Sequence, residues 1–229
     1  MILMTFNSYK NTKMLEKEII NKTAKFVKTK LEKEGSGHDW WHIHRVNKNA
    51  IQIAQKEKGD LFVIQLAALL HDIQDWKFSK NNDENIGAQI AYDWLKKINV
   101  SEQISIHIYS IIKNISFKGA NVENSIKSLE GKIVQDADRL DAIGAVGIAR
   151  TFAYGGFKKR EIYNPNIKPA LHNNFQDYKK NQSPTINHFY EKLLLLKEKM
   201  NTKTGKLLAE KRHQFMLQFL NQFFKEIEE

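Results

Sequence analysis

The chain contains no cysteine among its 229 residues. Disulfide bonds, thiolate metal ligands and cysteine nucleophiles are therefore excluded. Long hydrophobic runs are also missing. The apolar start of the chain covers about four residues, whereas a membrane span needs roughly 20. We therefore expect a soluble, cytoplasmic protein without a membrane partner.

Proline is scarce, and its distribution divides the chain. All three prolines lie between residues 157 and 184, among asparagine, lysine and glutamine. Elsewhere apolar residues recur at three- and four-residue steps, which is typical of amphipathic helices. No strand-like alternation of useful length occurs. The sequence predicts an all-α protein with one domain over residues 1–229: a core over about 13–156, a mobile loop over about 157–184, and C-terminal helices over about 185–228.

The sequence predicts one central helix and one long helix further along the chain. Asp60 is predicted to cap the segment LFVIQLAALLHDI, which is apolar on nearly every side and is therefore expected at the centre of the fold. A further helix is predicted to begin near Leu129 and to run through KIVQDADRLDAIGAVGIARTFAYGG, with a bend at Gly144 or Gly147.

Acidic residues are outnumbered, since 36 lysines and arginines face 26 acids and the net charge is +10. Such a charge suits a polyanionic partner or attracts phosphorylated substrates. No run of five or more basic residues occurs, and no basic stripe is interleaved with aromatics. The pattern favours a lysine-rich solvated surface over a nucleic-acid partner.

Histidines and aspartates in different predicted helices form the main functional signal. His42 lies in GHDWWHIHRV, and the adjacent His71 and Asp72 end the apolar helix. Burying an ionisable pair is costly unless something compensates it, and a divalent cation accepts a neutral imidazole and an ionised carboxylate together. Alternatively, His71 is stabilised by the helix dipole and Asp72 is a solvated cap.

The segment QDADRLDAIG offers three further carboxylates. On a helix, Ala137 lies at the centre of an apolar stripe, and Asp136 and Asp138 flank it about 160° apart. These two are not expected to bind the same ion, and helix geometry does not choose between them. Asp141 lies close to the stripe, one turn from Asp138, and is expected to support the ligands. The alternative is that all three acids pair with Arg139 and nearby lysines on the surface.

Together, His42, His71-Asp72 and Asp138 resemble the H…HD…D signature of the HD-domain metal-dependent phosphohydrolase superfamily. The letters ADRL resemble the metal-binding segment of related HD hydrolases, including guanosine-tetraphosphate hydrolases. In those enzymes the aspartate after the alanine binds metal, which favours Asp138 over Asp136. Similarity to a bacterial subfamily of stand-alone HD hydrolases covers roughly residues 15 to 225 and is weakest around 158–184.

The resemblance implies an all-α fold with the metal between core helices, and hydrolysis of phosphoester or phosphoanhydride bonds in nucleotides. The chain looks most similar to nucleoside triphosphate pyrophosphohydrolases, although nucleotidases and phosphodiesterases share the fold and the metal site. A ligand set of two nitrogens and two oxygens suits one divalent cation, with Mn²⁺ ahead of Mg²⁺, Co²⁺, Fe²⁺ or Ni²⁺. A regulatory HD protein with little turnover and a basic nucleic-acid-binding protein are the alternatives from other classes.

Other residues receive expected roles. Related HD enzymes carry an acid at the position of Asp75 with an acid–base role; the alternative is a solvated acid at the end of a helix. Arg45, one turn after His42, is expected to bind phosphate or, alternatively, to pair with Asp39 or Asp72. Weaker phosphate candidates are Lys77, Lys118 and Arg150, and the residues expected to support the ligands are Asp141, Asp136, His38 and Asp39. Trp40 and Trp41 are expected to pack in the core.

Overall fold

A computed structural model describes residues 2–32, 39–74, 85–116, 125–171 and 182–228. Within these ranges all of the regular secondary structure is helical. In chain order these helices are α1 (Ile2–Leu31), α2 (Trp40–Glu57), α3 (Leu61–Leu70), α4 (Ile86–Lys97), α5 (Glu102–Asn114), α6 (Leu129–Asp141), α7 (Gly144–Phe157), α8 (Asn187–Glu191), a 3₁₀ turn (Leu193–Leu195) and α9 (Lys203–Glu228). The prediction of an all-α single domain is confirmed. No helix in the described ranges is long and apolar enough to cross a membrane.

Helix α3 forms the centre of the core. Its residues from Val63 to Leu70 are buried with the exception of Gln65, and it packs against α1, α2, α4, α5 and α6. Helix α2 packs chiefly against α6 and α3. The prediction that the segment apolar on nearly every side is central is therefore confirmed, and the ends of α2, α3 and α6 are held next to one another.

Side-chain caps begin several of these helices, including α2 and α3. The Asp60 carboxylate accepts hydrogen bonds from the backbone N–H groups of Phe62 (2.9 Å) and Val63 (3.2 Å), which confirms the predicted cap of α3. Asp39 caps α2 in the same way by accepting from the backbone N–H of His42 at 2.9 Å. The cap of α2 therefore holds the backbone of His42, a candidate metal ligand.

The helix predicted to run on from Leu129 with a bend at Gly144 or Gly147 is interrupted before Gly144, so the chain forms two helices instead of one bent helix. Helix α6 ends at Asp141, and α7 begins at Gly144, whose φ of 76° lies in the left-handed region. Glycine adopts this conformation without the steric penalty that a Cβ atom imposes. Because the chain turns here, Asp138 and Asp141 lie in the last turn of α6 instead of the middle of a long helix.

The proline-containing region lies between α7 and α8. Its described residues, 158–171 and 182–186, contain no helix or strand. The buried carboxylate of Glu191 in α8 accepts hydrogen bonds from the Ser183 hydroxyl at 3.0 Å and from the Ala170 backbone N–H at 3.2 Å. Residues 172–181, which belong to the predicted mobile loop, lie outside the described ranges.

Candidate metal centre

Three helix ends supply the candidate ligands. His42 lies in the first turn of α2, and Asp138 lies in the last turn of α6. His71 is the C-terminal cap residue of α3, and Asp72 follows it. Because α2, α3 and α6 pack against one another, residues that are far apart along the chain meet at one point.

Carboxylate oxygens of Asp72 and Asp138 approach the two imidazoles at distances that would suit ligands of one ion. His42 Nε2 lies 3.6 Å from Asp72 Oδ2 and 3.6 Å from Asp138 Oδ1, and His71 Nε2 lies 3.7 Å from Asp138 Oδ1. These separations are too long for hydrogen bonds. Ligand atoms that each lie about 2.1 Å from one ion are about 3 to 4 Å apart. One ligand atom from each of His42, His71 and Asp72 also fits within 4.8 Å of the others.

Hydrogen bonds on the far side of each ring orient both imidazoles. His71 Nδ1 lies 2.9 Å from the Ala68 carbonyl oxygen, which can only accept, so Nδ1 carries the hydrogen. His42 Nδ1 lies 2.8 Å from Asp141 Oδ2. Both Nε2 atoms therefore face the carboxylates. His71 Nε2 is buried without a hydrogen-bond partner in the described structure, an arrangement that a bound cation would satisfy.

Charges around the site favour a cation. Burial by itself would lower the pKa of His71, but the nearby carboxylates of Asp138 and Asp72 outweigh burial and raise it to about 9. Burial would raise the pKa of Asp138, but the two histidines outweigh it and hold this pKa below its usual range. Burial holds the pKa of His42 below its ordinary value despite its bond to Asp141. A proton on His71 thus balances part of the negative charge that a divalent ion would neutralise.

Asp141 joins the candidate ligands to two arginines. Its side chain is 2% exposed and accepts from Arg45 Nε at 2.7 Å, from an Arg45 terminal nitrogen at 3.1 Å and from Arg150 at 3.0 Å, in addition to His42. These partners outweigh burial and lower the pKa of Asp141 to about 2. The alternative expectation that Arg45 pairs with Asp39 or Asp72 is wrong. Arg45 forms its hydrogen bonds with Asp141, because the packing of α6 against α2 places that carboxylate beside the guanidinium.

Asp136 does not join this group. Its fully buried carboxylate accepts from the backbone N–H groups of Asn201 (2.8 Å) and Thr202 (2.7 Å) and from both of their side chains. The expectation that Asp136 supports the metal ligands is therefore corrected: it organises the turn before α9. The opposite orientations of Asp136 and Asp138 follow from their positions on the two flanks of the stripe around Ala137.

The other residues with expected roles lie partly at the site, partly on the surface and partly outside the described ranges. Asp39 acts as the α2 cap, and Arg150 contacts Asp141. Trp41 is 61% exposed, so the expectation that it packs in the core is wrong, whereas Trp40 is partly buried against the core. Four candidates lie outside the described residues: His38, Asp75, Lys77 and Lys118.

Sequence reasoning missed two residues behind the site. Asn49 is buried on the same face of α2 as His42, two turns further along. Its side chain forms hydrogen bonds with the backbone of α6 and with Arg212 of α9. A polar residue in the buried stripe of α2 was a signal for Asn49. No local pattern distinguishes Arg212 from the other basic residues of α9.

Comparison with known proteins agrees with this geometry. The family described as "HD domain" matches residues 40–143, a range that includes all four candidate ligands and Asp141. The chain belongs to the HD superfamily of hydrolases. The crystal structure of an HD-superfamily hydrolase from Bacillus thuringiensis is 48% identical, covers 93% of this chain and 98% of its own, and superimposes with a TM-score of 0.71.

Two further relatives extend over nearly the whole HD protein. YpgQ from Bacillus subtilis is 41% identical over 203 residues, which are 88% of this chain and 90% of YpgQ. A crystal structure of YpgQ in complex with ADP superimposes with a TM-score of 0.74, at 36% identity and with 93% and 96% of the two chains covered. A structure from Lactobacillus plantarum is 37% identical, with a TM-score of 0.82 and coverage of 92% and 97%.

Proposed function

We propose that this HD protein is a metal-dependent phosphohydrolase that releases pyrophosphate from ribo- or deoxyribonucleoside triphosphates. His42, His71, Asp72 and Asp138 hold one divalent cation. The observation that carries the proposal is the orientation of two buried imidazoles. Each uses Nδ1 for a hydrogen bond within the protein, and each directs Nε2 toward Asp138 at 3.6 or 3.7 Å.

The chemistry of these donors suits hydrolysis. Two nitrogens and two carboxylate oxygens would suit Mn²⁺ ahead of Mg²⁺, Co²⁺, Fe²⁺ or Ni²⁺, and four protein ligands would leave room for water or substrate. When bound, the cation supplies Lewis acidity toward a phosphoryl oxygen and makes water more acidic. Asp141 holds His42 in the tautomer that presents Nε2. Asp75, three residues after Asp72, is proposed to orient the attacking water.

Positive charge beside the centre supports an anionic substrate. Arg45 and Arg150 both donate to the carboxylate of Asp141 beside His42, and their side chains are 35% and 20% exposed. Guanidinium groups recognise phosphate with directed N–H donors. The YpgQ structure contains ADP. This supports a nucleotide as the ligand of the present protein as well. Lys77 and Lys118 are proposed as further phosphate contacts.

Product analysis tests the reaction. Purified protein is stripped of metal, reconstituted with Mn²⁺ and incubated with ribo- and deoxyribonucleoside triphosphates, and phosphate and pyrophosphate are measured separately. We expect pyrophosphate and the nucleoside monophosphate in equal amounts. Phosphate without pyrophosphate would identify a nucleotidase instead. Nucleotide binding without turnover would indicate a regulatory protein and contradict the proposal.

Substitutions at the proposed ligands test the site. His71→Ala and Asp138→Asn should each lose bound Mn²⁺ and hydrolysis while circular dichroism shows unchanged helical content. His44→Ala and Asp93→Asn are matched controls, because both residues are exposed on helices of the same domain. The controls should retain metal and activity. Wild-type metal content in His71→Ala or Asp138→Asn would contradict the ligand assignment.

A further inference from the structure

The C-terminal helix reaches the back of the candidate metal centre through one arginine. Arg212 of α9 is partly buried, and one terminal nitrogen of its guanidinium donates to the Leu140 carbonyl oxygen in the last turn of α6. The other terminal nitrogen donates to Asn49 Oδ1 of α2 at 3.4 Å. One planar group therefore contacts α2 and α6, two of the three helices whose ends supply candidate ligands.

Asn49 completes a connection between these helices. It is 9% exposed, and its amide nitrogen lies 3.4 Å from the Ala137 carbonyl oxygen of α6. Ala137 and Leu140 lie on either side of Asp138 in the sequence. His42 and Asn49 are seven residues apart, two turns along one face of α2. The connection from Arg212 through Asn49 thus ties the backbone around Asp138 to the helix that carries His42.

The turn after α6 is shaped around the same arginine. Carbonyl groups at a helix C-terminus lack intrahelical partners, and a cation is favourable there. At Gly144 an added Cβ atom would lie 3.0 Å from both Cβ and Cγ of Arg212. The left-handed glycine that ends the α6 turn therefore leaves the space that the Arg212 stem occupies.

We propose that Arg212 is a positioning residue for the metal centre, acting through Asn49 and the α6 backbone. It holds Asp138 and Asp141 in register with His42, so that the four ligand atoms converge before an ion binds. This inference rests on the proposed metal site. It adds a residue outside the matched HD domain, because Arg212 lies beyond residue 143.

The direction of the change in metal affinity distinguishes a positioning role of Arg212 from a simple effect of its charge. A positive charge near the site repels a cation, so removal of charge alone would tighten metal binding. Loss of positioning would weaken binding instead. Arg212→Lys keeps the charge, but a single ammonium group does not reproduce the planar fork that reaches two acceptors. Arg212→Met removes both features while preserving much of the apolar stem.

Calorimetric titration of the metal-free full-length protein with Mn²⁺ provides the test. We expect Arg212→Lys, Arg212→Met and Asn49→Ala each to raise the Kd for Mn²⁺ about tenfold, the lower end of the effect of groups that orient ligands. Arg139→Lys is the matched control, since Arg139 is buried on α6 but donates to the Lys199 carbonyl oxygen in the turn before α9. Its Kd should stay within about twofold of wild type, although its Tm should fall.

A double variant tests whether the two residues act as one unit. Asn49→Ala combined with Arg212→Lys should bind Mn²⁺ about as weakly as the more affected single variant, because contacts in one network are not additive. Unchanged or tighter binding in the folded Arg212 variants would overturn the inference, and so would equal weakening in Arg139→Lys. If Arg212→Met fails to fold, Arg212→Lys and Asn49→Ala carry the same test. Failure of the wild-type protein to bind Mn²⁺ would overturn the proposed function itself, a distinct result.

Discussion

Metal binding by this protein should depend steeply on pH, because the ion competes with a proton for His71. The carboxylates beside His71 raise its pKa to about 9 in spite of burial. Burial lowers the pKa of His42, and the histidines hold the pKa of Asp138 below its usual range. Among these three proposed ligands, His71 is therefore the one that must lose a proton near neutral pH.

The size of the effect follows from the pKa of His71. An imidazole with a pKa of about 9 is almost fully protonated at pH 6.5 and about one quarter deprotonated at pH 8.5. The affinity for Mn²⁺ should consequently rise roughly 80-fold between these two values, with close to one proton released per ion at pH 7.5. A histidine with an ordinary pKa of 6.5 would produce only about a twofold rise.

Calorimetry in paired buffers measures both quantities. Titrations with Mn²⁺ at pH 6.5, 7.5 and 8.5, each in two buffers with different ionisation enthalpies, yield the affinity and the number of protons released. His44→Ala, which changes an exposed histidine of the same α2 helix, should reproduce the wild-type curve. A rise of twofold or less across this range, with little proton release at pH 7.5, would refute the competition at His71.

Further predictions concern individual carboxylates, the stability of the metal-free protein and the proline-containing region. Asp136→Asn should keep the Kd for Mn²⁺ but lower the free energy of unfolding by about 1 to 3 kcal/mol in urea titrations, because the Asp136 carboxylate accepts four hydrogen bonds. A larger loss of Mn²⁺ binding than in Asp138→Asn would make Asp136 the metal ligand instead of Asp138. Asp141→Asn should raise the Kd for Mn²⁺ about 10- to 100-fold in the same titrations, since it removes the carboxylate that orients a proposed ligand. The raised pKa of His71 stabilises the metal-free fold fully below pH 6.5, and this contribution should disappear as the pH rises through about 9, as urea unfolding at several pH values will show. Limited proteolysis should cut the region 157–184, the predicted mobile loop, in the free protein, and a nucleotide analogue with Mn²⁺ should protect it. Equal cleavage with and without the analogue would contradict a contact between this loop and the bound nucleotide.

Local features of the chain were predictable because neighbouring residues determine them. Asp60 caps α3 as expected, since a carboxylate two or three residues before exposed N–H groups needs no distant partner. The centre of the fold was also predictable, because a segment that is apolar on nearly every side can only be buried. A bend at Gly144 was predictable from the glycine, but a complete break was not: the backbone there is left-handed, and the stem of Arg212 from α9 occupies the space that a Cβ atom would need.

Sequence by itself determined the helical class, the position of His71-Asp72 at the end of a buried helix, and the two faces that separate Asp136 from Asp138. Periodicity and burial cost act within one helix, so these features are written locally. Helix geometry did not choose between Asp136 and Asp138; the HD resemblance favoured Asp138, and the tertiary structure places Asp138 beside both histidines. Only the tertiary structure decided which partner Arg45 takes. Arg45 meets Asp141 across 96 positions, and Arg212 meets Asn49 across 163. Such contacts depend on how α2, α6 and α9 pack against one another, and no spacing along the chain encodes that packing.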